Sequence, residues 1–485
     1  MSRLPRRALS LVILPLAGLL LARPARVAAQ GTPVDPTAAL LAELIRINTS
    51  NPPGRTQALA ELLAPRFRAA GFTVEVIPTP DSAKVHFIAR LKGDGTRKPV
   101  LLAAHADVVG VEREKWSMDP FAGEIRDGHV YGRGAIDFKG GMAVFVTALL
   151  RIAERKVPLS RDIIFLAEAD EEGAPMNTMW LARDHWPSMD AEFALNEGGW
   201  VIQDDAGRVR YVSISTADKS VTGVVLTATG TSTHSSMPLP DNAIAALGGA
   251  VARIAAYESP VQLTAESRQF FRTLATTSTG DTARLFRQLV EGSPAEVRSA
   301  DSVISQDPLL HAIMRNTIAP VLISGGFRSN VIPGSAEATL NLRLIPGTDP
   351  REMVRLIERL VNDPRVTVRL ASNAPPAAPI PVSGQETELY QALAREAKVQ
   401  WPTAEVTPYL FQAGTDAAAW RTRGIPVYGI YPYPITNDEL RRMHGNDERV
   451  SVASLQQGTE MIYRTIVSVA GKPGRRAGAV RRRGG

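Results

Sequence analysis

Five short motifs, spread over most of the chain, carry histidine and carboxylate side chains that could bind metal ions. Their central residues are, in chain order, His105, Asp137, Glu172, Glu197 and His444. Asp137 lies in the glycine-rich segment Gly-Arg-Gly-Ala-Ile-Asp-Phe-Lys-Gly-Gly, 32 residues after His105. Imidazole and carboxylate groups bind Zn²⁺, and pairs of such ions activate water for hydrolysis. The set therefore predicts a metal-dependent hydrolase.

The charge of these ligands fits a site with two metal ions. Two divalent ions bring a charge of +4, and three carboxylates with one bridging hydroxide bring −4, so that little net charge is buried. One carboxylate must then bridge the ions, which lie about 3.5–4 Å apart in such sites. Each motif alone has a simpler explanation, such as a turn residue for Asp137 or a solvated acidic run for Asp170 to Glu172. Their joint occurrence favours the metal site.

Three of the motifs follow apolar segments that are typical of buried parallel strands. These segments span residues 100–104, 162–167 and 191–195. Open α/β sheets bind ligands at the carboxyl ends of their strands, where the motifs begin. Amphipathic segments predict covering helices at residues 38–47, 57–70 and 141–155. We therefore expect an α/β catalytic domain, in which a doubly wound mixed sheet has helices on both faces.

The sequence pattern changes near Lys219. Strand-like segments with alternating polar and apolar residues predict a sheet with one exposed face, and residues 264–319 are predicted to be mostly helical. We interpret residues 217–374 as an inserted α+β lid and dimerisation domain, followed by a proline-rich linker at 373–381. The catalytic domain then comprises residues 30–216 and 375–470, so that His444 belongs to its second part.

The two ends of the chain carry the excess positive charge. Residues 1–29 and 471–485 hold eleven Lys or Arg and no acidic residue, and removing these from the net charge of +6 leaves −5 for the body. A basic nucleic-acid-binding surface is therefore not expected. The tail 471–485 is predicted to be disordered.

Residues 1–29 are predicted to be a signal peptide. Three early arginines precede an apolar stretch, and Val27-Ala28-Ala29 allows cleavage before Gln30. An uncleaved anchor is the alternative, and no other segment is apolar enough to span a bilayer. We expect an exported protein, periplasmic or secreted, without an integral membrane span after cleavage. The absence of cysteine excludes disulfides and thiol nucleophiles.

From about Leu101 to Val450, the five motifs in their order resemble those of a family of dizinc metallopeptidases and amidohydrolases. This family contains aminoacylase, carboxypeptidase G and succinyl-diaminopimelate desuccinylase. The resemblance implies that Asp137 bridges two Zn²⁺ ions, for which Co²⁺ or Mn²⁺ could substitute. It also implies that one ion is completed by His105 and Glu197, and the other by Glu172 and His444.

Two further catalytic roles follow from the resemblance. Glu171 would be the general base, and Asp107 would accept a hydrogen bond from the ring of His105 and so fix its tautomer. Adjacent residues of an extended segment point in opposite directions. Glu172 can therefore face the metals while Glu171 faces the bridging water.

A second set of residues lies mainly in the predicted insertion. The resemblance implies that His234 stabilises the tetrahedral intermediate from the partner subunit of a homodimer. It further implies that Asn330 and Arg343 hold the substrate's carbonyl and carboxylate, and that Gly414 lies near that carboxylate. The guanidinium group matches a carboxylate bidentately. The remaining histidines lack such motifs and are assigned structural or surface roles: His86, His129, His185 and His311.

The combined prediction is a zinc-dependent hydrolase of amide bonds adjacent to a free carboxylate. Its substrate would be a peptide cleaved at the C-terminus or an N-acyl amino acid. Glu197 and the long helical insert resemble the yeast carboxypeptidase S branch, whose relatives include hydrolases of N-fatty-acyl amino acids. An aminopeptidase or dipeptidase is the alternative enzyme, which Arg343 disfavours. A non-catalytic metal- or peptide-binding protein is the other alternative, which Glu171 disfavours.

Overall fold

The computed structural model describes residues 34–81, 83–173, 175–372 and 380–472. The predicted signal peptide, most of the linker and nearly all of the basic tail lie outside these residues. The strands are β1 Ser50–Asn51, β2 Thr73–Pro78, β3 Val85–Leu91, β4 Arg97–His105, β5 Val108–Val109, β6 Glu124–Arg126, β7 His129–Tyr131, β8 Arg161–Glu168, β9 Phe193–Asn196, β10 Val201–Gln203, β11 Val209–Asp218, β12 Ser220–Thr229, β13 Thr233–His234, β14 Thr317–Gly325, β15 Val331–Ile332, β16 Ser335–Leu344, β17 Val366–Leu370, β18 Glu405–Phe411, β19 Val427–Gly429, β20 Pro434–Ile435 and β21 Arg449–Ser451. The helices are α1 Pro36–Arg46, α2 Gln57–Ala69, α3 Lys139–Glu154, α4 Thr178–Asp184, α5 Trp186–Met189, α6 Ala243–Ala255, α7 Ala265–Thr277, α8 Gly280–Glu291, α9 Pro294–Ile304, α10 Pro308–Ile313, α11 Pro350–Val361, α12 Glu388–Gln400, α13 Ala418–Arg421, α14 Asn437–Leu440 and α15 Val452–Ala470. Within these described residues, no helix has the length and apolar character needed to cross a bilayer.

A ten-stranded mixed sheet forms the larger part of the fold. Its strand order is β2-β3-β8-β4-β9-β19-β11-β10-β20, and β18 pairs with β11. The central strand β4 is parallel to both β8 and β9, whereas β2 and β3 run antiparallel at one edge. The predicted mixed sheet is thus confirmed, and its parallel strands end at the segments that carry the metal-binding motifs.

The alternation of side chains along β4 explains why helices cover both faces of this sheet. Val100, Leu102 and Ala104 belong to a core shared with α1, α2, α3, α12 and α15. Leu101 and Ala103 belong to a second core on the opposite face, with residues of α4, α5 and α13. All five side chains are fully buried, and burial of each leucine contributes roughly 1.5–3 kcal/mol. The strand is therefore apolar on both faces from Val100 to Ala104.

A smaller antiparallel sheet lies within the predicted insertion. Its order is β14-β16-β12-β17, and α6 and α11 share a separate core with it. Along β16, buried residues alternate with more exposed ones, as expected for a sheet that is covered on one face. This arrangement confirms the predicted α+β character of the insertion.

Four helices from the same stretch of sequence, α7 to α10, pack on the core of the large sheet. The ring of Phe270 in α7 lies 5.5 Å from that of Tyr211 in β11 and 5.1 Å from that of Tyr409 in β18. The sequence did not predict this packing, because an amphipathic helix can cover any apolar face. From Asp35 onward, the described residues form one compact unit.

Candidate metal centre and active site

The five predicted metal ligands converge beside the carboxyl ends of the central strands. His105 is the last residue of β4, Glu197 directly follows β9, and Glu172 lies shortly after β8. Asp137 precedes α3, and His444 lies between α14 and β21. Residues from both predicted parts of the catalytic domain therefore meet at this edge of the sheet.

The carboxylate of Asp137 lies between two pairs of ligands. Its Oδ1 is 3.1 Å from Nε2 of His105, and that nitrogen is 3.5 Å from Oε2 of Glu197. Its Oδ2 is 2.9 Å from Nε2 of His444, which is 3.0 Å from Oε1 of Glu172. Each oxygen of Asp137 thus faces one histidine and one glutamate. This is the arrangement that a carboxylate shared by two metal ions requires.

The electrostatics of the cluster also fit divalent cations. Burial alone would lower the pKa of His105, but the carboxylates of Glu197 and Asp137 outweigh it and raise that pKa well above its usual value. Burial, together with the charge of Asp137, raises the pKa of Glu197 to about 7. Such shifts show an excess of buried negative charge, which bound cations would compensate.

Two groups of three residues offer possible ligand atoms, and within each group these atoms all lie within 4.8 Å of one another. One comprises His105, Asp137 and Glu172, and the other comprises His105, Glu171 and Glu197. These groups overlap with the two pairs around Asp137 because the cluster is compact. The nitrogen and oxygen donors fit Zn²⁺, so the chemistry of the site agrees with the predicted ions.

Glu171, the predicted general base, lies beside the cluster. Burial raises its pKa well above the usual value, and the charges of Glu197 and Asp416 add to this effect. Its carboxylate in turn acts on Arg343, where it opposes the lowering of the pKa by burial. The charges of Glu171 and Arg343 are therefore close enough to interact.

The main chain of Asp107, rather than its carboxylate, orients His105. Nδ1 of His105 donates a hydrogen bond of 2.9 Å to the Asp107 carbonyl oxygen, whereas the carboxylate oxygen lies 3.8 Å away. The carboxylate accepts the main-chain N–H groups of Glu171 and Glu172, each at 3.1 Å. The predicted hydrogen bond thus needs a correction, because the carboxylate is turned towards the segment that carries these glutamates. The tautomer of His105 that leaves Nε2 free for a metal is fixed by the carbonyl.

A buried ion pair that the sequence analysis did not identify joins the Asp137 segment to the His444 segment. Nη1 of Arg133 is 2.6 Å from Oε2 of Glu448, and Oε1 of Glu448 accepts the N–H of Asp137 at 3.1 Å. Nη2 of Arg133 donates to the carbonyls of His444 and Gly445 at 3.2 and 2.9 Å. Arg133 lies within the Asp137 motif and Glu448 lies just after His444, and these positions were the indication in the sequence that the two residues support the site.

Tyr431 was also missed by the sequence analysis. Its fully buried hydroxyl lies 3.0 Å from Oδ1 of Asp137 and 2.9 Å from Oε2 of Glu197. The residue stands at the end of the apolar run that begins at Val427, and this position beyond a buried strand was its only signal in the sequence. Its hydroxyl helps to hold the two carboxylates on the His105 side of the site.

His234 and Asn330 lie together in the insertion. β13 and β15 are paired, and the N–H of Ser235 donates to the carbonyl of Asn330 at 3.0 Å. His234 is exposed, and its Nδ1 accepts the N–H of Ser236 at 3.2 Å. Across the described ranges, neither His234 nor Asn330 is hydrogen bonded to the metal cluster.

Arg343 and Gly414 lie near the junction of the two sheets. Nε of Arg343 donates to Oδ1 of Asn341 at 3.1 Å. At Gly414, a Cβ atom would lie 3.3 Å from Val221 and 3.7 Å from the carbonyl oxygen of Lys219. Glycine therefore leaves space beside the first residues of β12, where Val221 pairs with Arg343 of β16.

Residues 101–468 match peptidase family M20/M25/M40. The sequence is 29% identical over 380 residues to probable carboxypeptidase S-like 2 of Dictyostelium discoideum, covering 77% of this chain and 72% of that protein. It is 27% identical over 396 residues to N-fatty-acyl-amino acid synthase/hydrolase PM20D1 of Homo sapiens, covering 79% and 76%. The fold is similar to that of the M20 family metallo-carboxypeptidase Sso-CP2 from Sulfolobus solfataricus, with a TM-score of 0.66, 16% identity, and coverage of 90% and 100%.

Proposed function

The chain belongs to peptidase family M20/M25/M40 and is a metallopeptidase or amidohydrolase, and we propose that two zinc ions support its hydrolysis of amide bonds adjacent to a free carboxylate. The observation that carries the proposal is the position of Asp137. Its two oxygens face two separate pairs, each formed by a histidine and a glutamate.

One ion would be held by His105, Asp137 and Glu197, and the other by Asp137, Glu172 and His444. Zinc is proposed because the donors are imidazole and carboxylate groups, and Co²⁺ or Mn²⁺ would be substitutes. When bound, the ions polarise a carbonyl and lower the pKa of a bound water to about 7.

Glu171 is proposed to move the protons of the reaction. It takes a proton from the attacking water and gives it to the nitrogen of the leaving amine, so that the amide bond breaks without release of an amide anion. A carboxyl whose pKa is raised by burial suits both steps. A carboxylate oxygen of Glu171 lies within 4.8 Å of ligand atoms of Glu197 and His105, which supports a position from which it would reach a water bound by the ions.

Arg343 is proposed to select substrates with a free carboxylate. Its side chain is partly buried, and its charge interacts with that of Glu171, which supports a position for the substrate carboxylate on the Glu171 side of the site. The planar fork of arginine fits a carboxylate bidentately. Asn330 would hold the carbonyl, and Gly414 would let main-chain N–H groups approach the same carboxylate.

The substrate is proposed to be a peptide cleaved at its C-terminus or an N-acyl amino acid. The similarity to a probable carboxypeptidase S-like protein and to an N-fatty-acyl-amino acid synthase/hydrolase supports both classes. Each has an amide bond next to a free carboxylate, which is the feature that Arg343 would recognise.

A homodimer through the insertion is proposed to complete the site. β14 is an edge strand of the small sheet, and Val321, Leu322, Ile323 and Phe327 on or beside it are 52–79% exposed. Exposed apolar residues along an unpaired edge favour association with a second chain. His234, which is exposed in the same insertion, would then reach the partner's active site and stabilise the oxyanion there.

Export to the periplasm or to the medium is proposed from the predicted signal peptide at residues 1–29. N-terminal sequencing of protein expressed from the full gene tests this proposal. A mature chain that begins at Gln30 supports cleavage, and a chain that keeps residue 1 supports the anchor.

A hydrolysis screen with the zinc-loaded protein tests the proposed activity. Three matched compounds are required: an N-acyl amino acid, its C-terminal amide, and a dipeptide with a free amino group and an amidated C-terminus. We expect turnover of the first and little turnover of the other two. Preference for the dipeptide amide would instead identify an aminopeptidase, and no turnover of any compound would favour a binding protein.

A further inference from the structure

The segment that carries Glu171 and Glu172 is held by side chains to which the proposed mechanism gives no role. It begins after β8 with Asp170, which is fully buried and adopts a positive φ of 70°. Residues other than glycine rarely adopt this conformation, and they keep it only where their surroundings enforce it. The carboxylate of Asp170 accepts the N–H of Met176 at 2.7 Å, so the segment is closed into a compact loop.

Asn51 links this loop to Asp107. Its Nδ2 donates to Oδ2 of Asp107 at 2.7 Å and to Oδ1 of Asp170 at 2.8 Å. One amide group thus donates a hydrogen bond to each of two buried carboxylates and links them. Gly173 lies directly against this amide, because a Cβ there would be 2.4 Å from Nδ2 of Asn51. Since Asp107 accepts the N–H groups of both glutamates, Asn51 acts on their main chain through Asp107.

Lys84, directly before β3, and His86, within β3, contact the same loop. Nζ of Lys84 lies 2.5 Å from Oδ1 of Asp170. Nδ1 of His86 accepts the N–H of Ala169 at 3.1 Å, and its Nε2 donates to the carbonyl of Met176 at 2.9 Å. Burial lowers the pKa of His86 to about 4, so the neutral ring can accept at one nitrogen and donate at the other. The ring therefore joins the two ends of the loop.

We propose that Asn51, Lys84 and His86 are positioning residues that fix the directions in which Glu171 and Glu172 point. This inference rests on the proposed function, in which Glu171 faces the attacking water and Glu172 faces a metal ion. A small rotation of the loop would move both carboxylates, because their main-chain N–H groups share one acceptor. Loss of the support therefore acts on the chemical step and on metal binding more than on substrate binding.

Two substitutions and a matched control test this proposal. Asn51→Ala removes the shared donor, and Lys84→Met removes the charge while it keeps most of the side-chain volume. Lys92→Met is the control, because Lys92 forms an ion pair with Asp162, 2.9 Å away, just beyond the other end of β3 and outside the loop; its side chain is more exposed than that of Lys84. For each protein, hydrogen exchange of residues 169–176, kcat, KM and zinc affinity are measured.

We expect faster exchange at Glu171 and Glu172 in both variants, because Asp107, their acceptor, loses its donor in Asn51→Ala and Asp170, at the start of their loop, loses its cation in Lys84→Met. We expect a fall in kcat or in zinc affinity of about 10–100-fold, with KM changed by less than about threefold. The control is expected to match the wild type in all four measurements. If Asn51→Ala does not fold, His86→Gln replaces it, since glutamine can donate near the Nε2 position but loses the Nδ1 acceptor.

Unchanged exchange together with unchanged kcat and zinc affinity in the variants would overturn the proposal. So would equal losses in Lys92→Met, which would show a general loss of stability. Failure of the proposed function is distinguishable from these results. In that case the wild type hydrolyses no amide substrate, while the exchange of residues 169–176 still shows whether the three side chains hold the loop.

Discussion

Zinc binding by the metal-free protein is expected to release protons. Burial alone would lower the pKa of both histidines, but neighbouring carboxylates raise that of His444 to about 10 and that of His105 well above its usual value. Burial raises the pKa of Glu197 to about 7. A metal ligand must be a neutral imidazole or an ionised carboxylate, so these protons leave when the ions bind.

The number of protons follows from these values. At pH 7 each histidine is an imidazolium with one proton to lose and Glu197 is about half protonated, so that the ligands release about two and a half protons per chain when both sites are filled. At pH 8 Glu197 is mostly ionised, and the release from the ligands falls to about two. A water that becomes the bridging hydroxide adds its own proton at either pH. Because protons compete with zinc for the same groups, the apparent zinc affinity rises with pH throughout this range.

Titration calorimetry in buffers of different ionisation enthalpy measures this release. The slope of the observed enthalpy against the buffer enthalpy gives the number of protons at each pH. His444→Ala should release about one proton fewer, while His129→Ala, a substitution outside the cluster, should behave as the wild type. A slope near zero at pH 7 would refute the reasoning, since histidines that bind the metal must first lose their protons.

Three further substitutions test individual roles. Glu171→Gln should lower kcat roughly 10²–10⁴-fold with unchanged zinc stoichiometry, because glutamine cannot accept the proton of the water; near wild-type kcat would exclude Glu171 as the base. Arg343→Lys should raise KM and weaken the preference for an N-acyl amino acid over its amide, since lysine lacks the bidentate fork; equal selectivity in the two proteins would reject this role. Mixing inactive His234→Ala with inactive Glu171→Gln should restore activity towards half of the wild-type value per mixed dimer, and a mixture that stays inactive would show that His234 does not act across the interface.

The parallel centre of the large sheet could be predicted because its strands contain apolar runs that are buried on both faces of the sheet. The neighbouring strand β11 could not, although it lies in the same sheet. Its residues Ser213 and Ser215 are buried. Ser213 accepts a hydrogen bond from the N–H of Trp200 at 2.8 Å, and the hydroxyl of Ser215 donates to the carbonyl oxygen of Ala217 at 3.0 Å. Polar side chains with specific partners bury well, but they remove the apolar pattern from which a strand is predicted.

The positions of three of the metal-binding motifs, those of His105, Glu172 and Glu197, could be predicted because each follows a strand end. The contacts that support them could not, because they join residues that are distant in the sequence. Asn51 reaches Asp107 and Asp170, and Arg133 reaches Glu448. No local periodicity indicates such pairs. Whether the carbonyl or the carboxylate of Asp107 orients His105 likewise depends on the positions of the N–H groups of Glu171 and Glu172, which the carboxylate accepts.

The most direct test of the two-metal site is a crystal structure of the zinc-loaded protein, with anomalous scattering recorded at the zinc edge. We expect two zinc peaks per chain, one beside His105 and Glu197 and the other beside Glu172 and His444, with one oxygen of Asp137 bound to each. A single zinc peak after full titration, or two peaks that do not share Asp137, would contradict the account.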